Sequence, residues 1–357
     1  MLYDPTALDK TTPALFFTRW ITHFCAPGFV FLAGTSAWLT GSAKTKKELS
    51  RFLLTRGLWL IFLEIAVLRA FFFFNFYYDV TFLTVLWVIG WCMIFLAGMI
   101  YLPLKWNLVT GLLIVFLHDA LALIPVEPTR FFYAPWIMLV KTGVLPVTPS
   151  VVFITSYPVI PWLGIMLLGY CAGRLYTDYD AATRMRWLTR SGAAAIILFI
   201  ILRFINFYGD PAPWQAQPDL LFTFLSFINT TKYPVSLLFS LMTLGPILFL
   251  LARLEQIKPG KLSFFMIYGQ VPLFYFLLHF LLIHVAALTA FIVKTGTPLS
   301  EIDFHFSKSF GGIAPGTGYS LGWTYAAWIC IVLALYPVCK WYGQYKQSHA
   351  YRWLRYL

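Results

Sequence analysis

Six histidines and a few ionisable groups stand out in a chain that is otherwise largely apolar. His279 and His284 lie five residues apart in the apolar stretch Tyr275–His284, His118 is followed directly by Asp119, and His23 sits in Thr22-His23-Phe24-Cys25-Ala26-Pro27. A neutral imidazole can take a proton near physiological pH, and a carboxylate can orient it, so His279, His284, His23 and His118 are candidate general bases. Each also has a plainer reading, as a satisfied packing residue or an interfacial one. Adjacent helical residues point about 100° apart, so direct contact between His118 and Asp119 is not expected. A five-residue spacing cannot bring His279 and His284 to one metal on a straight helix, and no third ligand accompanies them, so no metal is expected.

Glu64 and Arg69 are also five apart. On an α-helix that is about 500° of rotation, leaving them roughly 140° apart, so each should find its partner on another element. Arg203 and Asn206 share a face at i,i+3, and Asn229-Thr230-Thr231-Lys232-Tyr233-Pro234 forms a polar elbow. Ionisable groups at membrane depth are costly and face a bundle interior. Glu64, Arg69, Arg203, Asn206, Asn229 and Lys232 are therefore either buried structural bonds or groups that bind and orient a polar substrate, with the elbow's donors suited to an oxyanion, a sugar hydroxyl or a helix cap. Lys46, Lys47, Arg51, Arg174 and Arg186 fall in two basic stretches that could hold the phosphates of a coenzyme A. The positive-inside rule accounts for the same residues without any cofactor.

The elements that must position these groups follow from composition. Of 357 residues, 60% are hydrophobic and 11% charged, against roughly 25% charged in ordinary soluble chains. That excludes a soluble enzyme, a disordered chain and a disulfide scaffold. The net charge of +12 comes from basic residues in short loops, which mark topology and touch anionic lipid rather than nucleic acid. The five cysteines form no CxxC pair and read as small hydrophobes. Nine apolar runs are long enough to cross a ~30 Å hydrocarbon core, near 20–41, 57–77, 81–101, 104–124, 153–173, 191–208, 233–252, 264–292 and 321–339. Every backbone amide in lipid needs an internal partner, so the expected fold is all-α, a polytopic membrane helix bundle of about nine transmembrane helices forming one domain over 1–357. Pro27 should interrupt the first span.

Seventeen basic residues fall in one alternate set of loops and seven in the other. The richer set should be cytoplasmic, with the N-terminus outside and the C-terminus inside a bacterial inner membrane. The longer loops, 125–150, 209–232 and 293–320, then lie outside, and their Pro, Gly and aromatic content suits a roof over a site.

The residues together resemble bacterial members of the heparan-alpha-glucosaminide N-acetyltransferase catalytic-domain family. The resemblance is carried by Thr12–Pro27 leading into Phe29–Ser36, by Phe62-Leu63-Glu64 with Arg69, by Pro161–Tyr170, by Thr231-Lys232-Tyr233-Pro234, and by Tyr268-Gly269-Gln270-Val271-Pro272 leading to His279 and His284. It implies transfer of an acyl group from cytosolic acetyl-CoA to an amine or hydroxyl of a saccharide outside, with a histidine removing the acceptor's proton or carrying the acyl group briefly. Family members begin with a further helix that bears an Arg-Gly pair. The chain opens instead on the polar stretch Leu2–Thr12, so a missing first helix is expected, and ten spans would be the complete arrangement. The active-site histidine of the family falls near this N-terminal region, where His23 is nearest by position. Two other readings remain open: a transporter of a small polar solute, with Glu64, Arg69, Arg203 and the histidines along its path, and a non-catalytic family member.

Overall fold

The computed structural model describes residues 5–74, 76–127, 131–305, 318–349, 351 and 354. Arg130, Lys308, Arg352 and Arg355, and residues 306–317 of the 293–320 loop, lie outside the described residues. The chain is a polytopic membrane helix bundle. Among the described residues seven helices are long and apolar enough to cross a membrane, and each of the nine expected spans contains helix.

The first span is α1 (Pro13–Ile21), a 3₁₀ turn over Thr22–Phe24, and α2 (Cys25–Gly41). Thr12 accepts from the Leu15 amide and Pro13 opens the helix, the arrangement that best uses a residue without an N–H. Pro27 withholds the amide that would reach back to residue 23, which accounts for the tight turn just ahead of it. A Thr45–Glu48 capping box starts α3 (Lys46–Phe62). This rod continues as a π-helix, Leu63–Leu68, and α4 (Arg69–Phe73). The expected 81–101 span starts later, because β1 (Val80–Leu83) pairs as a strand before α5 (Val85–Met99). Next come α6 (Leu104–Ala122), α7 (Tyr133–Leu139), β2 (Gly143–Thr148), β3 (Val151–Thr155), α8 (Val159–Asp178) and α9 (Ala181–Ile205). The chain closes with α10 (Leu220–Ile228), α11 (Leu237–Leu254), α12 (Ser263–Gln270), α13 (Pro272–Thr295) and α14 (Leu321–Ser348).

The three strands form one small sheet in the order β1-β3-β2, with β1 parallel and β2 antiparallel to β3. It sits at one end of the bundle, the sheet end. The 125–150 loop thus contributes strand structure to a cap, in keeping with a roof. At the opposite, basic end, Lys46 Nζ reaches Tyr101 O, Trp38 Nε1 reaches Thr177 Oγ1, and Arg184 pairs with Glu255 at 2.6 Å.

Inside the bundle, α2 packs on α8, α3 on α5, α6 on α8 and α9 on α11. The closest approach is between α2 and α8. A Cβ on Gly169 would lie 2.0 Å from Phe31 O, and one on Gly34 would lie 2.1 Å from Met166 O. Thr35 Oγ1 donates to Gly169 O at 3.0 Å across the same contact. Lipid tails give no hydrophobic drive between helices, so such close backbone contact and the van der Waals packing it allows hold the pair together. Most buried residues form one core over α1–α11 and the start of α13, and a second, smaller core joins α12, α13 and α14 around Val271, Leu335, Cys339 and Tyr342.

Candidate functional site

A cavity of about 530 Å³ opens between α2, α3, α5 and the α12–α14 group. Along α2 it runs from Thr40 to Phe29, eleven residues at ~1.5 Å each, or about 16 Å. That is roughly half the ~30 Å hydrocarbon thickness. Its walls are mainly Leu32, Leu53, Leu60, Ile89, Met93, Leu273 and Phe276, with Ser36 and Thr40 adding hydroxyls. Arg56 and Lys346 line it as well, close enough for their charges to act on one another. The result is an apolar slot with two neighbouring cations in its wall.

His279 lies on α13 one turn beyond the cavity-lining Phe276. Its Nδ1 donates to Phe276 O at 2.6 Å and Tyr275 O at 3.2 Å, and its ring stacks on Tyr275. His284 Nδ1 donates likewise to Phe280 O at 2.8 Å, with its ring 4.8 Å from that of Phe72. A carbonyl only accepts, so in each neutral ring Nδ1 carries the proton and Nε2 keeps its lone pair. Among the described residues no hydrogen-bond partner meets either Nε2. Both histidines are half-buried and set up as proton acceptors.

His118 is built differently. Its Nδ1 faces Ile114 O and Val115 O, while Nε2 lies 2.7 Å from Val235 O and 3.2 Å from Asp119 Oδ1. The expectation that His118 and Asp119 would not touch is therefore corrected. Both side chains bend toward the start of α11, where Asp119 Oδ2 also accepts from the Leu237 amide at 2.9 Å, and that shared target overrides their divergent Cβ directions. Acceptors face both ring nitrogens, so the ring works as a clamp between α6 and α11. His23 is buried against Phe239 in the turn ahead of α2.

Glu64 and Arg69 are also placed otherwise than α-helical geometry predicted. The segment is a π-helix in which the Arg69 amide bonds Glu64 O, so residues five apart stack over one another instead of diverging. Both side chains reach the same stretch of chain, residues 79–87. Glu64 accepts from the Thr84 amide and hydroxyl and from the Leu86 and Trp87 amides at 2.6–3.2 Å. It caps α5, which has no side-chain cap of its own, and puts a carboxylate at the positive end of that helix. Arg69 donates to Val80 O and Asp79 Oδ1 and lies over the Tyr78 ring. Arg203, 1% exposed, donates to Phe227 O, Ala212 O, Ser226 O and Asn229 O. Asn206 exchanges hydrogen bonds with the Trp214 backbone, and Asn229 donates to Thr6 O.

At the sheet end a second polar group gathers. Lys232 Nζ lies 5.2 Å from the Tyr233 ring centroid and 5.8 Å from that of Tyr157, whose rings are 5.5 Å apart. Arg19 and Tyr157 lie within electrostatic reach of Tyr233, and Cys25 within that of Lys232. Burial pulls the Lys232 ammonium below the usual lysine range and pushes the Tyr157 phenol well above the tyrosine range. Burial would also raise Tyr233, but Lys232, Tyr157 and Arg19 together bring it below its ordinary value. Asp210 fixes the elbow by accepting from the Thr231 amide and hydroxyl and from Ser236 Oγ, all at 2.8 Å. Beneath the sheet the Thr81 and Thr155 hydroxyls and the Trp87 and Trp162 indoles are buried without a hydrogen-bond partner among the described residues. Such groups are costly to leave unmet.

Among the basic residues expected to hold a cofactor, Lys46 bonds Tyr101 O, Arg174 pairs with Asp178 at 2.6 Å and Arg186 bonds Thr183 Oγ1, while Lys47 and Arg51 are exposed on the first turns of α3. The cavity draws its cations from Arg56 and Lys346 instead. Sequence reading missed those two, along with Arg19, Tyr157 and Asp210, because each looks like a routine loop, span or interface residue until the helices are assembled.

The family model for heparan-alpha-glucosaminide N-acetyltransferase, catalytic, matches residues 1–205, more than half of the chain. The chain belongs to this family. It is an acetyltransferase-like membrane protein. The matched part of this family member includes α1–α9, hence three walls of the cavity and the π-helix with Glu64 and Arg69, whereas Lys232, His279, His284 and Lys346 lie beyond it. Neither a curated protein nor a solved structure matches the chain.

Proposed function

We propose that the protein moves an acyl group, acetyl in the simplest case, from acyl-CoA at the basic end to an amine or hydroxyl of a saccharide at the sheet end. The cavity carries this reading: an apolar slot with the neighbouring cations Arg56 and Lys346 in its wall suits a long, thin thioester that bears phosphates. The slot reaches mid-bilayer depth, and the next turns above it on α2 and α13 bear Cys25 and His279. In the reaction the acceptor's lone pair attacks the thioester carbonyl, His279 Nε2 takes the acceptor's proton, the C–S bond breaks, and the proton passes to the departing sulfur so that coenzyme A leaves as its thiol. Lys232, Tyr157 and Tyr233 would hold acceptor hydroxyls, with the basic end in the cytoplasm of a bacterial inner membrane.

A transport path would need Glu64, Arg69 and Arg203 free to meet a solute, and each is instead tied to backbone groups. The test uses proteoliposomes, with labelled acetyl-CoA on the basic-end side and glucosamine on the other. Labelled N-acetylglucosamine that depends on the protein supports transfer. Glucosamine flux without acyl-CoA, and with no acylated product, would overturn it.

A further inference from the structure

At the basic end Arg174 pairs with Asp178, Arg184 with Glu255, and Lys44 and Lys46 bond carbonyls. Arg186 and Arg190 on α9 and Arg253 on α11 line one groove of about 310 Å³, with Thr189, Phe249 and Gln256 beside them, and Arg186 also donates to Thr183 Oγ1 at 3.0 Å. Among the described residues no carboxylate lies within ion-pair distance of any of the three. Arg186 and Arg190 are i,i+4 and share a face, as do Phe249, Arg253 and Gln256 on the facing helix. The helices themselves touch farther in, where a Cβ on Gly192 would lie 2.9 Å from Gly245 O, so the groove is the space left at their shared end.

Three uncompensated guanidiniums around one hollow repel one another unless an anion sits between them. The guanidinium fork matches phosphate oxygens, and Thr189 and Gln256 add neutral hydrogen-bonding groups. The surroundings favour an anion with tails. Trp187, 49% exposed, directly follows Arg186 on α9, and exposed tryptophans beside basic residues are typical of a membrane interface. Exposed Leu250, Ile197 and Ile201 continue the same two helices into the apolar zone. Basic pockets between membrane helices at such an end take anionic headgroups. We infer that the Arg186–Arg190–Arg253 groove binds the phosphate of an anionic phospholipid, with its acyl chains lying along α9 and α11.

The site is separate from the Arg56–Lys346 cavity, so the inference stands apart from the acyl-transfer reading. It is tested by native mass spectrometry of the full chain in detergent with phosphatidylglycerol, phosphatidylcholine, pyrophosphate or coenzyme A. Phosphatidylglycerol should be retained at least tenfold better than phosphatidylcholine. Replacing all three arginines by glutamine should lower that retention about tenfold, while Lys105→Gln, an exposed basic residue at the same end, should leave it unchanged. If the triple variant is lost to misfolding, the single changes Arg186→Gln, Arg190→Gln and Arg253→Gln, each expected to weaken retention about twofold or more, carry the test. Equal retention of phosphatidylcholine, or retention of phosphatidylglycerol indifferent to the arginines, overturns the inference. Displacement of phosphatidylglycerol by equimolar pyrophosphate or coenzyme A would assign the groove to a free phosphate ester and overturn the lipid.

Discussion

Glu64 Oε1 accepts the Thr84 hydroxyl at 2.6 Å, which ties a buried carboxylate in one membrane rod to the first residue of the strand-to-helix corner that starts the next. The same carboxylate takes the Thr84, Leu86 and Trp87 amides. Glu64→Gln keeps the shape but leaves only one accepting oxygen for four donors. It should destabilise the protein by about 1–3 kcal/mol, the cost of leaving buried donors unmet. The readout is thermal unfolding in detergent. A melting temperature equal to that of the unaltered protein would mean the capping contributes nothing.

His279 and His118 should separate cleanly. His279→Ala removes a proton acceptor beside the cavity, so acyl turnover should fall roughly 10²- to 10⁴-fold at nearly unchanged stability. His118→Ala breaks the link from α6 to the Val235 carbonyl and should lower the melting temperature instead. His284→Ala, more than one turn farther along α13, should slow turnover less than His279→Ala does. Full turnover in both His279→Ala and His284→Ala would strike both from the reaction.

Donor affinity should depend on the two cavity cations. Arg56→Gln and Lys346→Gln should each weaken acetyl-CoA binding about tenfold, or ~1.4 kcal/mol, in the range of a charge-assisted phosphate bond. Calorimetry in detergent measures this directly. Lys47→Gln, exposed on the first turn of α3, serves as the comparison and should change affinity far less.

The α2–α8 contact leaves no room for a methyl group. Gly169→Ala would set a Cβ 2.0 Å from Phe31 O, backbone against backbone. The helices would have to separate, losing several kcal/mol of packing. The expected result is a sharp drop in folded yield by size-exclusion chromatography. Gly98→Ala, which meets nothing within 4 Å, should behave normally.

Lys232 gives a pH signature. Burial lowers its pKa in the folded state below the unfolded value, so the folded protein binds fewer protons than the unfolded chain between those two values, and stability rises with pH across that window. The penalty for holding the charged amine is full below the folded pKa and gone above the unfolded one. Lys232→Met should therefore raise the melting temperature at neutral pH, with the gain shrinking as pH climbs toward the ordinary lysine range. A gain independent of pH would show that the charge is not the cause.

Much of the architecture was legible because lipid imposes it. Runs such as 104–124 and 233–252 have to be helices where no water can satisfy a bare amide, and Pro27 announced the turn ahead of α2 through its missing N–H. The π-helix at Leu63–Leu68 was not legible, and with it went the relative direction of Glu64 and Arg69, since assuming 3.6 residues per turn gives the wrong face. Nor could the apolar run at 81–101 reveal that its first residues pair with Val151–Thr155. Strand pairing depends on a partner some seventy residues away.

The site divides along the same line. Residue types alone marked His279, His284 and Lys232 as unusual, because a polar group in an apolar run is costly wherever it ends up. Only the assembled helices decided which were already satisfied, as Arg203 is by four carbonyls, and which keep an open atom, as His279 does at Nε2. Arg56 and Lys346 are the clearest case. They stand 290 residues apart in the sequence, each ordinary as a positive-inside charge, and become one cavity's cations because the last turn of α14 comes alongside the middle of α3. Local composition settles the solvent and the secondary structure, whereas a pocket exists only between elements and so is written in none of them singly.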